Sequence, residues 1–165
     1  MEEPINPATI KLKKVEEKDR QTLWNLLQYS LFEESATDGN HIQADGTFGY
    51  EYFDNYFTDD DRESYLVKLS SGELIGFVMI NQHLQKTQGG HAIAEFLILP
   101  RFRRCGVGRE VARRCFAMYP GNWEISPADG SESAYKFWKS VIGEITGANN
   151  QLNDGLFIFN TEEQG

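Results

Sequence analysis

The chain has 165 residues, 40% of them hydrophobic, with 16 Lys+Arg against 25 Asp+Glu and a formal net charge of −9; this length and apolar share predict one packed domain over residues 1–165 and exclude intrinsic disorder. Six of the eight arginines fall in residues 101–114, where Glu110 is the only acid, so this segment carries +5 and the remainder −14. A general nucleic-acid face, which spreads basic residues over a broad surface, is thereby disfavoured, as is an Arg-rich RNA-binding helix at 101–114 within so acidic a chain; one focused anion site and no nucleic-acid partner are expected.

Residues 8–15 alternate weakly and read as a first strand. From Glu17 to about Glu34, the positions Leu23, Trp24, Leu27 and Leu31 recur at helical spacing and predict an amphipathic helix. Residues 35–50 are polar and aperiodic, a long loop of a kind that is often functional, and residues 51–57 follow as a short aromatic helix. Three strands come next, at 64–69, 73–82 and 91–99. The first two are joined by a hairpin turn and the second and third by a glycine-containing loop, so antiparallel neighbours are implied.

Pro100, Pro120 and Pro127 mark three joints. Between the first two a helix opens at Gly106 and Gly108, with Val107, Val111, Cys115 and Met118 on one face and Arg114 within reach of Glu110. Residues 122–126 predict a strand, 131–142 a helix capped by Ser131, 143–147 a candidate strand, and 155–160 the last strand. The order β-α-α-β-β-β-α-β-α-β-β sets three antiparallel strands before a strand-helix-strand unit. This is an α/β (α+β) chain with a mixed sheet.

No segment approaches the length of a membrane span, and the N-terminal residues lack the apolar region of a signal peptide; a soluble cytoplasmic protein with no membrane partner is expected. Cys105 and Cys115 have no metal-ligand or redox spacing, so free thiols and no metal are expected.

The stretch AEFLILPRFRRCGVGREVARR carries the chemistry. Glycines let successive N–H groups turn into one hollow, and the following helix adds the positive end of its dipole. Arg103, Arg104 and Arg109 can supply charge-assisted hydrogen bonds to an anion there. A Walker loop is disfavoured because no Lys-Ser or Lys-Thr follows the glycines. The dinucleotide fingerprint is disfavoured because its third glycine would fall on Val111.

Pro100, Arg103, Gly106 and Gly108, directly after an apolar strand and before an amphipathic helix, resemble the acetyl-CoA loop of the GNAT superfamily of N-acetyltransferases, and the chain is similar to small bacterial members. NWEIS with SESAYKFWKSVIGE resembles the superfamily's next conserved block through Ala134, Phe137 and Gly143, and the element order is similar over nearly the whole chain. The resemblance implies a GNAT-like, mostly antiparallel mixed sheet with helices on both faces. It implies acetyl-CoA as cosubstrate, its pyrophosphate on the amides of Arg104, Cys105, Gly106, Val107, Gly108 and Arg109, with Arg103 beside them. The pantetheine arm would pair with the backbone near Leu97, Ile98 and Leu99, and Trp138 would contact it. The expected reaction is direct attack of a primary amine of a small-molecule acceptor on the thioester in a ternary complex, by a monomer or homodimer. A non-catalytic acyl-CoA sensor is the alternative.

Two proton-transfer tasks remain. Glu95, an acid within AIAEFLIL, is the candidate base, against a salt-bridged edge glutamate. The family commonly places a tyrosine where this chain has Trp138, whose N–H cannot deliver a proton. Tyr135, three residues earlier, is the candidate acid, against packing or solvent protonation. Cys105 as a reactive thiol, His41 as a substrate contact and the aromatics of 50–57 as an acceptor wall are weighed against plain loop and core roles. Residues 35–57 contain no Lys or Arg, which suits a cationic acceptor.

Overall fold

The computed structural model describes residues 4–162. Seven strands form one sheet: β1 (Lys11–Lys14), β2 (Arg62–Lys68), β3 (Leu74–Asn81), β4 (His91–Ile98), β5 (Asn122–Ile125), β6 (Asn150–Asn153) and β7 (Leu156–Asn160). Their order is β1-β2-β3-β4-β5-β7-β6, antiparallel throughout except for β4 beside β5. Four helices complete it: α1 (Arg20–Asp38), α2 (Asn55–Thr58), α3 (Val107–Met118) and α4 (Glu132–Thr146). No helix among the described residues is long and apolar enough to cross a membrane.

The near-continuous apolar run of β3 follows from cover on both faces. Phe77 and Met79 pack with Leu23, Leu27 and Leu31 of α1, while Val78 and Ile80 join Val111 of α3 and Trp138 of α4 in a second core. The sheet thus separates an α1/α2 face from an α3/α4 face.

Two irregularities shape the middle of the sheet. Parallel pairing of β4 with β5 covers only His91↔Trp123, Ala92↔Glu124 and Ile93↔Ile125, after which β4 runs on to Ile98 with that edge open. On its other edge Met79 faces Glu95 and Ile80 faces Ile93, so Ala94 is an extra residue, a β-bulge.

Several expectations are corrected. The candidate strand at 143–147 is the last turn of α4, where the Thr146 hydroxyl donates to the Ile142 carbonyl at 2.8 Å; strand pairing begins only at Asn150, opposite Phe159. Helix α1 runs past Glu34 to Asp38 and ends at Gly39 in the left-handed region, φ 77°. Its final turn escapes the periodicity because it faces solvent and, through Thr37, the β5–α4 loop: the Thr37 hydroxyl donates to the Asp129 carbonyl at 2.5 Å. The aromatic helix is confined to α2. Met118 is 39% exposed at the end of α3 and leaves the buried face formed by Val107, Val111 and Cys115. The Ser131 cap is present: its hydroxyl accepts from the Ala134 N–H at 3.2 Å.

Candidate active site

The glycine loop is built for an anion by its backbone. Arg104 and Gly106 both have positive φ, 60° and 86°, and this alternation curls the chain so that consecutive N–H groups point inward. The Glu110 N–H is the first to bond back into α3, to Gly106 at 3.1 Å. The amides from Arg104 to Arg109 have no backbone acceptor among the described residues, as expected where a helix starts. Gly106 also approaches Pro7, whose Cγ lies 3.0 Å from where a Cβ would stand.

The arginines expected to serve one anion have different partners in the folded chain. The Arg103 Nε donates to the Ile98 carbonyl at 2.7 Å and its Nη2 lies 3.5 Å from Glu33 of α1. Arg109 reaches α4, donating to Ser140 at 3.1 Å and pairing with Glu144. Arg113 and Arg114 both pair with Glu110, and Arg114 also donates to the Ile10 carbonyl at 2.6 Å. Arg104 is exposed and makes no hydrogen bond or ion pair among the described residues. Only it remains uncommitted beside the hollow. Cys105 donates its thiol to the Phe102 carbonyl at 2.9 Å, and Cys115 is buried, which pushes its thiol up to about 12; both are free thiols.

The strand leading into the loop presents an open edge. The Leu99 N–H donates to Ile75 at 2.9 Å and Leu97 faces Phe77, so by the alternation of an antiparallel ladder the backbone groups of Leu97 and Leu99 turn toward β3, and those of Phe96 and Ile98 turn outward. The Arg103 guanidinium sits on the outward Ile98 carbonyl.

The bulge aims Glu95. Directly opposed residues share a face, and Met79 lies in the α1/α2 core, so Glu95 projects toward α1. There it meets Glu34, and the two carboxyl groups hydrogen-bond each other. Burial raises both above the ordinary carboxyl range, Glu95 strongly; the charge of Glu34 and its contact raise Glu95 further, Asp38 adds to this, and the neighbouring Tyr50 hydroxyl opposes it. The contact between the two carboxyl groups lowers Glu34 and raises Glu95, against the burial that raises both. Desolvation also raises the Tyr50 phenol, which stays a neutral donor. Glu34 and Tyr50 have no sequence signal that marks them as partners of Glu95; the absence of Lys and Arg from 35–57 is the nearest hint. A cavity of about 220 Å³ opens where β3, β4 and β5 meet, lined by Asn81, Ala92, Ala94, Glu124 and Ser126 among others, with Glu34, Tyr50 and Glu95 outside its lining. The buried Glu124 carboxylate accepts from the amides of Gln85, Lys86 and Thr87 at 2.7–3.0 Å, which fixes the cavity's rim loop.

Tyr135 and Trp138 stand on the opposite face. The Trp138 indole is 5% exposed and packs edge-on against Phe96 and Phe137, with centroids 5.0 and 4.9 Å away. It is a core residue with little surface left for a ligand. Tyr135 is half-buried and stacks on Phe157 at 5.7 Å. The histidines are placed elsewhere: His41 is exposed, His83 pairs with Asp61 at 3.0 Å, and His91 stacks on Tyr119 at 4.5 Å.

An open strand edge, a glycine loop at a helix start and an acid on the bulged strand thus lie close together on β4 and the segment that follows it. The Acetyltransferase (GNAT) family model matches residues 25–140, and the chain belongs to this family, which uses acetyl-CoA as cosubstrate. Solved structures agree in fold. An acetyltransferase from Thermus thermophilus is 16% identical with a TM-score of 0.65, covering 92% of this chain and 97% of that one. The aminoglycoside antibiotic 6'-N-acetyltransferase AAC(6')-Ih from Acinetobacter baumannii is 10% identical, TM-score 0.58, covering 80% and 88%. A chimera of the spermidine N-acetyltransferase SpeG from Vibrio cholerae with hSSAT is 15% identical, TM-score 0.58, covering 94% and 98%. A comparison with curated proteins finds no match.

Proposed function

We propose that the protein transfers the acetyl group of acetyl-CoA to a primary amine of a small-molecule acceptor by direct attack in a ternary complex. The free amides of residues 104–109 and the Arg104 guanidinium receive the pyrophosphate from the α3/α4 face. The outward backbone groups of Phe96 and Ile98 take the pantetheine arm as an added strand, which requires Arg103 to release the Ile98 carbonyl. The acceptor binds on the α1/α2 face, and Glu95 takes its proton. Backbone N–H groups at the opening between β4 and β5 face the developing oxyanion. Tyr135, on the donor face, protonates the leaving thiolate.

The observation that carries this reading is the bulge at Ala94, which turns an acid toward the acceptor face beside an open strand edge. Its test is a thermal-shift and thiol-release screen of amines with acetyl-CoA. Glu95→Gln is expected to keep the acetyl-CoA thermal shift and to lose about 10²–10⁴-fold in turnover, the usual contribution of a positioned base. Acetyl-CoA binding with no turnover on any amine would favour the non-catalytic sensor.

A further inference from the structure

Two carboxyl groups in hydrogen-bonding contact cannot both ionise without strong repulsion. Glu34 of α1 and Glu95 of β4 are such a pair, partly withdrawn from water, and neither has an ion-pair partner among the described residues. The groups around them add no cation. Asp38 and Glu33 of α1 contribute negative charge, Tyr50 is a neutral neighbour of Glu95, and the Tyr56 hydroxyl accepts from the Asn81 amide at 3.1 Å. The nearby cations are engaged: Arg62 pairs with Asp59 at 3.1 Å and lies 4.7 Å from the Tyr52 ring, and Arg103 pairs with Glu33.

We propose that Glu34 and Glu95 hold one proton between them in the free protein and that the acceptor, arriving as an ammonium ion, takes that proton's place, which makes Glu34 a specificity-determining residue for amines charged at neutral pH. This rests on the reading of Glu95 as the base. The proton leaves to solvent as the ammonium binds, and both carboxylates face the cation. Glu95 then takes one N–H proton, the nitrogen lone pair forms the C–N bond to the thioester carbon, the C–S bond breaks, and the thiolate is protonated. The sum is ammonium plus acetyl-CoA to amide, free CoA and one proton. An amine that is neutral at pH 7 gains nothing from Glu34.

The pair is tested without any ligand. A carboxyl raised in the folded state stabilises fully below its unfolded value and loses that contribution as pH rises through its folded value. Wild-type Tm is therefore expected to fall as pH rises above about 4.5, the ordinary glutamate range, and Glu34→Gln to flatten that slope whatever its absolute Tm. The acceptor role is tested with two probes, propylamine, an ammonium ion at neutral pH, and O-methylhydroxylamine, which is neutral there. The ratio of kcat/KM for propylamine to that for the hydroxylamine should fall about tenfold or more in Glu34→Gln, the loss of one charge-assisted hydrogen bond. Parallel Tm slopes, or an unchanged ratio, overturn the proposal. Flattened slopes with no turnover in the wild type would instead overturn the acetyl-transfer reading.

Discussion

On the α3/α4 face, the groups proposed to receive the donor are consecutive: residues 104–109 present backbone amides, and the conformation of two residues, Arg104 and Gly106, sets their direction. On the α1/α2 face the groups come from three separate segments, Glu34 on α1, Tyr50 in the loop and Glu95 on the bulged strand, and side chains do the work. A backbone site needs only local geometry and tolerates varied side chains. A side-chain site needs the sheet and helix layers to assemble first, and its properties come from burial and mutual repulsion.

The separation of the faces is open to challenge by substitution. Gly106→Val puts a β-branched residue at φ 86° with its Cβ about 3.0 Å from Pro7. A left-handed conformation costs an L-residue about 1–2 kcal/mol, so acetyl-CoA affinity measured by calorimetry should drop about tenfold or more, with the Tm–pH slope unchanged. A changed slope would mean that the two faces are coupled. Tyr135→Phe should lower kcat by about tenfold at most, because a thiol of pKa ~8.5 leaves tolerably as thiolate; rapid-mixing kinetics at pH 6 and 9 would show the deficit shrinking at low pH, where solvent protonates more readily. Among the arginines, Arg104→Ala should weaken acetyl-CoA binding no more than about fivefold, the scale of an exposed charge contact, with a shallower salt dependence. Arg109→Ala should leave that affinity alone, since its guanidinium is held by Ser140 and Glu144.

Much of the fold was readable because each element carries its own signal. The leucines of α1, the apolar run of β3 and the Ser131 cap of α4 are local patterns of the kind that place ten of the eleven helices and strands in order, β6 being the exception. The glycine loop was readable for the same reason, since glycines and a helix start are adjacent in the chain. The expected strand at 143–147 failed because Ile145 and Thr146 are β-branched yet continue the helix, with Thr146 bonding back to Ile142. The partners of the arginines are not legible in the sequence because charge clustering says nothing of direction: Glu33, Glu144 and the Ile98 carbonyl draw these side chains to neighbours that sequence does not put beside them.

By itself, the sequence determined the element order, the GNAT resemblance, the anion loop and the presence of one acid within an apolar strand. Only the tertiary structure decided which way that acid points and what it meets. One extra residue at Ala94 turns Glu95 to the α1 side, and a helix from the start of the chain brings Glu34 against it. Register and layer packing are long-range outcomes. A one-residue shift moves a side chain from one face of a sheet to the other, and the chemistry of Glu95 follows from that placement.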